Sequence, residues 1–238
     1  MSGGAYSAMS GMQARIAELD RIASDLANVS TAGYKTERTA TFAAERDFAA
    51  ALASAVDVAA GGTRTDHTPG AITSTGRTLD VAIDGDGYFA IETPQGVRYT
   101  RSGNFTRRAD RTLSTVDGEP VLDTQNRRIR LAQGTLEIDP AGSISIDGAA
   151  AGKIQLWQID EKDLVRETGS RFRPAAGVKP RPSTSLVVPG ALEGANVSMI
   201  SRMATLTEVT RSFEALQRGV SVLMNDIDSR AIVELGRR

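Results

Sequence analysis

The chain of 238 residues contains no cysteine, and its single histidine is His67. Disulfide bonds and thiolate metal sites are therefore excluded, and a zinc site or a catalytic triad would have to rely on one imidazole. Acidic and basic side chains nearly cancel, leaving a net charge of -1. That balance gives no general electrostatic reason to expect nucleic acid or an anionic membrane as a partner.

Long apolar runs are also missing. The most apolar stretch runs from Phe48 to Val56 and stops at Asp57, far short of a membrane span. No continuous apolar segment precedes Arg15, the first basic residue, so the start of the chain lacks the pattern of a secretory signal peptide. We expect that any export would proceed without a cleaved signal and without membrane insertion.

Apolar residues recur at alternating steps of four and three near both ends of the chain. This heptad spacing predicts one apolar seam along each of two helices, the first from about residue 5 to residue 29. The last helix has Asn196 or Ser198 as its candidate N-cap. The predicted seams consist of Ala5, Met9, Met12, Ile16, Leu19, Ala23 and Leu26, and of Leu206, Val209, Phe213, Leu216, Val220, Leu223 and Ile227.

Two matched seams favour pairing of the terminal helices with each other, as an antiparallel coiled coil. The alternative is two ordinary amphipathic helices that dock separately on a globular core. Between the seams the period changes to two from Leu79 onward, and turn signals such as those at 84–87 and 140–142 separate many short candidate strands. The fold class is therefore α+β, with a central, mostly antiparallel β domain looped out between the helices.

Composition also predicts domain boundaries. Residues 1–35 and 190–238 form a terminal helical domain, and residues 76–189 form the β domain with a connector at its end. Within it, the basic, proline-rich segment 166–185 is predicted as the strand that leads out of the β domain plus that connector. Residues 36–75 are a linker with a short helix or an extended arm at 41–60, because its alanine-rich pattern precedes glycine breakers.

Candidate catalytic groups are few. Asp80, Asp84 and Asp86 resemble a cation loop but lack the downstream glutamate of an EF-hand, and Asp-Gly pairs are typical of turns. His67 lies in a Gly/Thr/Pro segment without a second ligand. The arginines at 101–130 lack interleaved aromatics, which favours a solvated face or a protein contact. We therefore expect no enzyme activity, no cofactor and no metal.

Four stretches resemble the flagellar hook–basal body rod family. The first is Leu26-Ala27-Asn28-Val29-Ser30-Thr31-Ala32-Gly33-Tyr34-Lys35, and the second is Gly76-Arg77-Thr78-Leu79-Asp80-Val81-Ala82-Ile83-Asp84-Gly85-Asp86-Gly87-Tyr88-Phe89. Tyr99-Thr100-Arg101-Ser102-Gly103-Asn104-Phe105 continues that block. The last is Leu192-Glu193-Gly194-Ala195-Asn196-Val197, followed by Arg211-Ser212-Phe213-Glu214-Ala215.

The resemblance implies a structural axial subunit of the periplasmic rod, exported by the flagellar type III apparatus and assembled with other rod subunits and copies of itself. It also implies that the terminal helices form the inner tube while the β domain faces outward. The matched positions of the family motifs are Asn28, Gly33, Tyr34, Leu79, Asp80, Gly85, Gly87, Leu192, Gly194 and Asn196. The resemblance implies that six of them are assembly elements: Asn28, Gly33, Tyr34, Leu192, Gly194 and Asn196. Helix-end and capping chemistry is the alternative role for these residues.

The short segment between Lys35 and Gly76 favours the F-type proximal branch of the family over the G-type distal branch. Ser30 and Ala32 depart from the family's usual Asn and Thr. A second hypothesis, from a different class, is a soluble β-domain binding module whose helices merely dimerise it. A cation-dependent hydrolase built on Asp80, Asp84 and Asp86 is the third.

Overall fold

A computed structural model describes residues 2–39 and 63–235, and it describes side chains at residue 9 and over 11–38 and 63–222. The predicted arm at 41–60 and the side chains of Ala5, Leu223 and Ile227 therefore lie outside the described residues. Two long helices, α1 (Ser2–Ala27) and α2 (Met199–Leu235), occupy the two ends of this part of the chain. The protein is α+β, as the sequence predicts.

Seventeen short strands are described between the two helices. They are β1 (Glu37–Thr39), β2 (Thr63–Thr65), β3 (Ile72–Ser74), β4 (Val81–Asp84), β5 (Tyr88–Thr93), β6 (Gly96–Thr100), β7 (Phe105–Arg107), β8 (Leu113–Thr115), β9 (Leu136–Ile138), β10 (Ser143–Ile146), β11 (Ala149–Lys153), β12 (Leu156–Gln158), β13 (Leu164–Arg166), β14 (Arg171–Pro174), β15 (Arg181–Pro182), β16 (Leu186–Pro189) and β17 (Ala191–Glu193). A 3₁₀ turn, Glu161–Asp163, lies between β12 and β13.

The chain divides into two compact units, here called the helical unit and the β unit. The helical unit contains residues 1–27, 37–64 and 198–238, and the β unit contains residues 28–36 and 65–197. The short segments that flank the helices, 28–36 and 191–197, thus belong to the β unit by their contacts. This allocation brings together two pieces of chain that are far apart in sequence.

The largest sheet of the β unit has six strands in the order β13-β14-β6-β5-β12-β15. A three-stranded sheet, β11-β10-β9, and the pairs β16-β4, β17-β3 and β7-β8 complete the unit. All of these registered pairs are antiparallel. The segment 166–185, predicted as one strand and a connector, supplies the strands β14 and β15. Its prolines stand at strand ends or in the two-residue edge strand β15, where a missing N–H costs little.

Two apolar clusters fill the β unit. The larger one packs the inward faces of β4, β5, β8 and β10 together, with Phe89 and Phe105 in an edge-to-face contact of 5.0 Å between ring centroids. The smaller one surrounds Tyr88, Tyr99 and Phe172 on the opposite side of β5. Because β5 is buried on both faces, it lies at the centre of the unit.

Within the helical unit, α1 and α2 contact each other. Near the middle of α1, Gly11 lies beside Leu216, since a Cβ placed on that glycine would be 3.9 Å from the leucine Cδ1. Near its end, Asp25 forms an ion pair of 2.9 Å with Arg202. At the start of α2, Ser198 is the N-cap, because its Oγ accepts the N–H of Ser201 at 3.4 Å.

The buried strip of α1 is displaced by one residue from the predicted seam. Ile22 and Asp25 are buried, whereas Met9 is 60% and Ile16 is 46% exposed. One residue rotates a helix by about 100°, so this displacement leaves Met9 and Ile16 on the exposed side of α1. The predicted seam counted only apolar residues, whereas the buried positions include Asp25, which is paired with Arg202.

The described part of α2 follows its prediction more closely. Val209 is buried at 3% exposure, and Leu206, Phe213, Leu216 and Val220 are half-buried. On α1, Met12, Leu19 and Leu26 are also half-buried, beside the buried strip. No described helix combines the length and apolar character needed to cross a membrane.

The displaced strip can be tested with two matched truncations on α1. Replacing Ile22 with Ala should lower the free energy of unfolding of the helical unit by about 2–4 kcal/mol, since it empties a buried site. Replacing Ile16 with Ala should change it by no more than about 0.5 kcal/mol, because that side chain is half-exposed to solvent. Thermal unfolding followed by circular dichroism at 222 nm measures both. Equal losses from the two variants would contradict the displaced strip.

Candidate functional site

Two sequence-distant segments of the β unit lie side by side. Gly33 donates its N–H to the carbonyl of Glu193 at 2.8 Å, and Asn196 donates to the carbonyl of Tyr34 at 3.2 Å. The side-chain oxygen of Asn196 accepts the N–H of Thr36 at 2.7 Å. The entry to the unit after α1 and its exit before α2 are therefore joined by direct hydrogen bonds.

A buried ion network, formed by Lys35, Arg101 and Glu193, lies at this junction. Lys35 Nζ is 2.5 Å from Glu193 Oε1, and Arg101 Nη1 is 3.1 Å from Oε2. The three residues are 0%, 3% and 1% exposed, respectively. Burial lowers the pKa of Lys35, while the hydrogen bond and the charge of Glu193 act in the opposite direction. One carboxylate thus compensates two cations inside the protein.

Backbone groups add further hydrogen bonds to the network, while Arg101 Nε is buried without a hydrogen-bond partner among the described residues. Lys35 Nζ also donates to the carbonyl of Thr68 at 2.8 Å, and Arg101 Nη2 donates to the carbonyl of Gly85 at 2.9 Å. Glu193 Oε1 accepts the N–H of Gly70 at 3.0 Å. The network therefore joins three parts of the chain: the segment after α1, the loop at residues 68–70 and the turn at residue 85.

Aromatic rings adjoin the network. The guanidinium carbon of Arg101 lies 5.3 Å from the ring centroid of Tyr88, whose hydroxyl is 2.9 Å from His67 Nδ1. Burial lowers the pKa of His67 and raises the pKa of Tyr88 to about 12. Phe172 contacts both rings, with centroids 5.3 Å from His67 and 5.7 Å from Tyr88. The histidine is thus a neutral packing residue of the junction.

Tyr34 fills the other side of the junction. Its ring is buried and lies 4.5 Å from the guanidinium carbon of Arg166, which also donates Nη1 to the carbonyl of Lys35. Gly33 precedes it with a φ of +65°. A Cβ at Gly33 would come within 2.4 Å of the backbone carbon of Arg101, so only glycine fits there. Because α1 ends at Ala27, Gly33 lies six residues beyond the helix and is not its C-cap.

The sequence-predicted motif positions separate into two groups. The first group meets at the junction and consists of Gly33, Tyr34, Gly194 and Asn196. Gly70 approaches Gly194 there so closely that a Cβ on Gly70 would lie 2.0 Å from the carbonyl oxygen of Gly194. The others lie nearby in the β unit or at its start. Asn28 accepts a hydrogen bond from Thr31, and Asp80 accepts a hydrogen bond from Thr75. Leu79 packs on the larger apolar cluster, and Leu192 lies in β17. Gly85 and Gly87 lie in the turn before β5.

Sequence reasoning missed the three charged residues that hold the junction. Lys35, Arg101 and Glu193 each stand inside a recognised motif, but no pattern in one sequence shows that they meet. A weak signal exists at Glu193, which lies two residues after Ala191 in an apolar segment, at the spacing that places both on one face of a strand.

The arrangement is suited to holding chain segments, not to turnover. Lys35 and Arg101 form ion pairs with Glu193, and His67 lies within hydrogen-bond distance of the Tyr88 hydroxyl. Among the described residues, no group of three or more His, Cys, Asp or Glu is placed to bind a metal. Asp80 is buried, whereas Asp84 and Asp86 lie exposed at the turn after β4. These three aspartates therefore do not form a shared cation loop.

Comparison with known proteins agrees with this reading. Three family descriptions match the chain in order: flagella basal body rod protein over residues 6–35, flagellar hook protein FlgE/F/G D1 domain over 82–156, and flagellar basal body rod FlgEFG protein C-terminal over 188–226. The junction lies where the first and last of these regions meet the β unit.

Individual relatives extend the match over nearly the whole chain. The flagellar basal-body rod protein FlgF of Rhizobium meliloti is 32% identical, covering 99% of both chains. FlgF of Caulobacter vibrioides is 31% identical over 84% of this chain and 85% of its own. FlgG of Bacillus subtilis is 33% identical over 88% of this chain and 90% of its own.

The chain belongs to the flagellar basal-body rod protein family. It is a structural subunit of the rod and not an enzyme. Within the family the F-type assignment is supported by relatives from several bacteria, and the G-type alternative is not better supported.

The ion network makes a strong prediction for Glu193. Replacing it with Gln should lower the free energy of unfolding of the β unit by about 3–5 kcal/mol, because Lys35 and Arg101 would remain buried without a counter-charge. Glu92→Gln is the matched control, since it breaks a solvent-exposed pair with Arg128 and should leave stability nearly unchanged. Urea unfolding followed by Trp157 fluorescence measures both. A Glu193 variant as stable as the control would show that the network does not hold the junction.

His67 predicts a pH dependence. Its folded pKa lies below the unfolded value of about 6.5, so the unfolded chain binds the extra proton first. The contribution of His67 to stability is therefore fully present above pH ~6.5 and declines as the pH falls below it, by up to about 1.4 kcal/mol per pH unit.

The measurement is urea unfolding of the wild type and of His67→Gln between about pH 7.5 and pH 5.5, the range in which histidine titrates. Glutamine keeps a polar group near Tyr88 but cannot titrate, so the stability of that variant should change less across the range. Parallel curves for the two proteins would rule out His67 as the titrating group.

Proposed function

We propose that this rod subunit polymerises through its terminal helices with other rod subunits and with copies of itself, and so transmits torque along the flagellar axis. The observation that carries the proposal is the apolar surface left on the helical unit. Met9, Ile16, Met203 and Val222 are each about half or more exposed. The chain belongs to a family of rod proteins, which supports an assembly in which neighbouring subunits bury these side chains.

The paired termini are the physical basis of this assembly. We propose that α1 and α2 pair as an antiparallel coiled coil. The contacts of Gly11 with Leu216 and of Asp25 with Arg202 support it, since a later residue on α1 meets an earlier one on α2. A lone two-helix hairpin buries only one strip of each helix, so its outer faces are available to neighbouring subunits.

The predicted seam residues then divide between two kinds of contact. Those that are buried or half-buried on α2 serve the pair within one chain. Met9 and Ile16 stand seven residues apart and therefore share one outer face of α1. A solvent-exposed isoleucine or methionine is common by itself, but two on one face, in a chain whose relatives are named as rod proteins, favour a contact between subunits.

Location follows from the same proposal. We place the subunit in the periplasmic, proximal part of the rod, exported by the flagellar type III apparatus without a cleaved signal peptide. The motif residues 28–35 and 192–197 act as assembly elements by setting where each helix leaves the β unit. The G-type distal position is the second candidate, because FlgG of Bacillus subtilis is also similar over most of the chain.

The proposed assembly face can be tested with Met9→Glu/Ile16→Glu. Both side chains are exposed in the single chain, so helix content and thermal stability should stay within experimental error of the wild type. Incorporation into purified basal bodies, measured by immunoblot, and swarming in soft agar should both be lost, because burying two carboxylates between subunits is costly.

The control is Met9→Leu/Ile16→Leu, which preserves the apolar surface and should support normal incorporation. Secreted and cell-associated protein are quantified for each variant, so that a failure of export is distinguished from a failure of assembly. Normal basal bodies from the glutamate variant would refute the proposed face. A concentration-independent closed dimer of the wild type would instead favour the binding-module hypothesis.

A further inference from the structure

The charged side chains of the β unit are not distributed evenly. The unit carries as many acidic as basic side chains, and several pair with each other, including Arg98 with Glu167 and Arg171 with Glu119. Among the charged residues that lack such ion pairs with any other described residue, two groups of like charge have members that the backbone places near one another. They are Arg107, Arg108, Arg111 and Arg130, here called the arginine surface, and Asp84, Asp86, Glu137 and Asp139, here called the acidic surface.

The backbone brings the arginine surface together at one corner. Arg111 donates its N–H to the carbonyl of Arg108 at 2.9 Å in the turn between β7 and β8. Thr112, the next residue, forms an isolated bridge with Arg130, and Leu131 donates to the carbonyl of Arg111 at 2.7 Å. All four arginines are exposed. The corner therefore presents concentrated positive charge.

Four arginines outnumber the carboxylates beside them, Asp110 in the same turn and Asp117 next to Gly118, and Asp117 forms an ion pair with Arg171. Asp110 accepts the backbone N–H of Thr112 at 3.0 Å, and that hydrogen bond, with the charge of Arg108, lowers its pKa. An apolar group adjoins the arginines, since Arg108 Nη1 donates to Gly118 in the turn that carries Val116, which is 67% exposed. Arginine beside an exposed apolar side chain is typical of a protein contact and not of a purely ionic one.

The acidic surface has the complementary composition. Asp84 ends β4 opposite Leu186 of β16, a leucine that is 52% exposed. Val187 donates its N–H to the carbonyl of Pro140 at 2.9 Å, which places the turn after Asp139 beside the same strand. Glu137 lies in β9, two residues before Asp139, at the spacing of one face of a strand. Carboxylates around an exposed leucine therefore match arginines around an exposed valine.

We propose that the arginine surface of one copy of this chain docks on the acidic surface of a second copy, head to tail. The proposal rests on the proposed function as a polymerising subunit and adds a contact made by the β unit to the one made by the helices. The two surfaces are different patches of one molecule, so the contact is heterologous and repeats along an assembly. Charge complementarity sets its partner and register more than its strength.

The test uses the full chain and sedimentation velocity over a range of concentrations at low ionic strength. Arg111→Glu/Arg130→Glu reverses two side chains that make no side-chain hydrogen bond among the described residues. It should weaken self-association by about tenfold or more. Lys162→Glu/Lys179→Glu makes the same change in net charge at exposed sites elsewhere in the unit and should associate like the wild type.

A mixing experiment identifies the partner surface. Asp84→Lys/Glu137→Lys should also fail to self-associate. Its intact arginine surface still fits the intact acidic surface of Arg111→Glu/Arg130→Glu, so an equimolar mixture of the two variants should associate again. Raising the salt to about 1 M, where the Debye length is ~3 Å, should abolish this recovery.

Three outcomes overturn the proposal: a wild type that stays monomeric throughout, equal association of the arginine and lysine variants, or no recovery on mixing. If Arg111→Glu/Arg130→Glu weakens self-association but mixing the two variants does not restore it, the arginine surface binds a different acidic molecule. The comparisons between variants do not test the helical contact, because the substitutions leave α1 and α2 unchanged. Failure of the proposed function would appear instead as normal basal bodies from the Met9 and Ile16 glutamate variant.

Discussion

One buried carboxylate holds the ends of the β unit together. Glu193 lies between Lys35 and Arg101, two cations that cannot reach water. Moving these three charges out of water is expensive, and the attraction between them offsets that cost only when all three are in place. The β unit is therefore complete only when the segment after α1 and the segment before α2 are both present.

This dependence links the fold to the role of a rod subunit. Both helices leave the β unit from segments that the ion network and the hydrogen bonds of Asn196 hold side by side. Residues 28–36 and 191–197 are thus anchored at fixed positions before either helix makes a contact with another chain. A subunit built this way can present two helices to its neighbours while its β unit stays folded as a separate body.

Much of the architecture follows from local patterns. The change of apolar period from helical to two near Leu79 predicted the α+β class, and the Gly/Asp turns predicted many of the short strands. In the segment 166–185 one strand was predicted and two are found, because strands of two to four residues carry too few side chains for a period to register. The displaced strip on α1 was missed because hydrophobicity does not reveal that Asp25 is neutralised by Arg202.

The class of fold, the two terminal helices and the family can be predicted from the residues alone, since each depends on periodicity or on motifs of consecutive residues. The meeting of Lys35, Arg101 and Glu193, the buried face of α1 and the unpaired charges of the β unit become visible only in the folded chain. The physical reason for this division is the sequence separation over which each interaction acts. Periodicity and turn chemistry act between near neighbours, whereas burial and ion pairing depend on contacts between residues as far apart as 35 and 193.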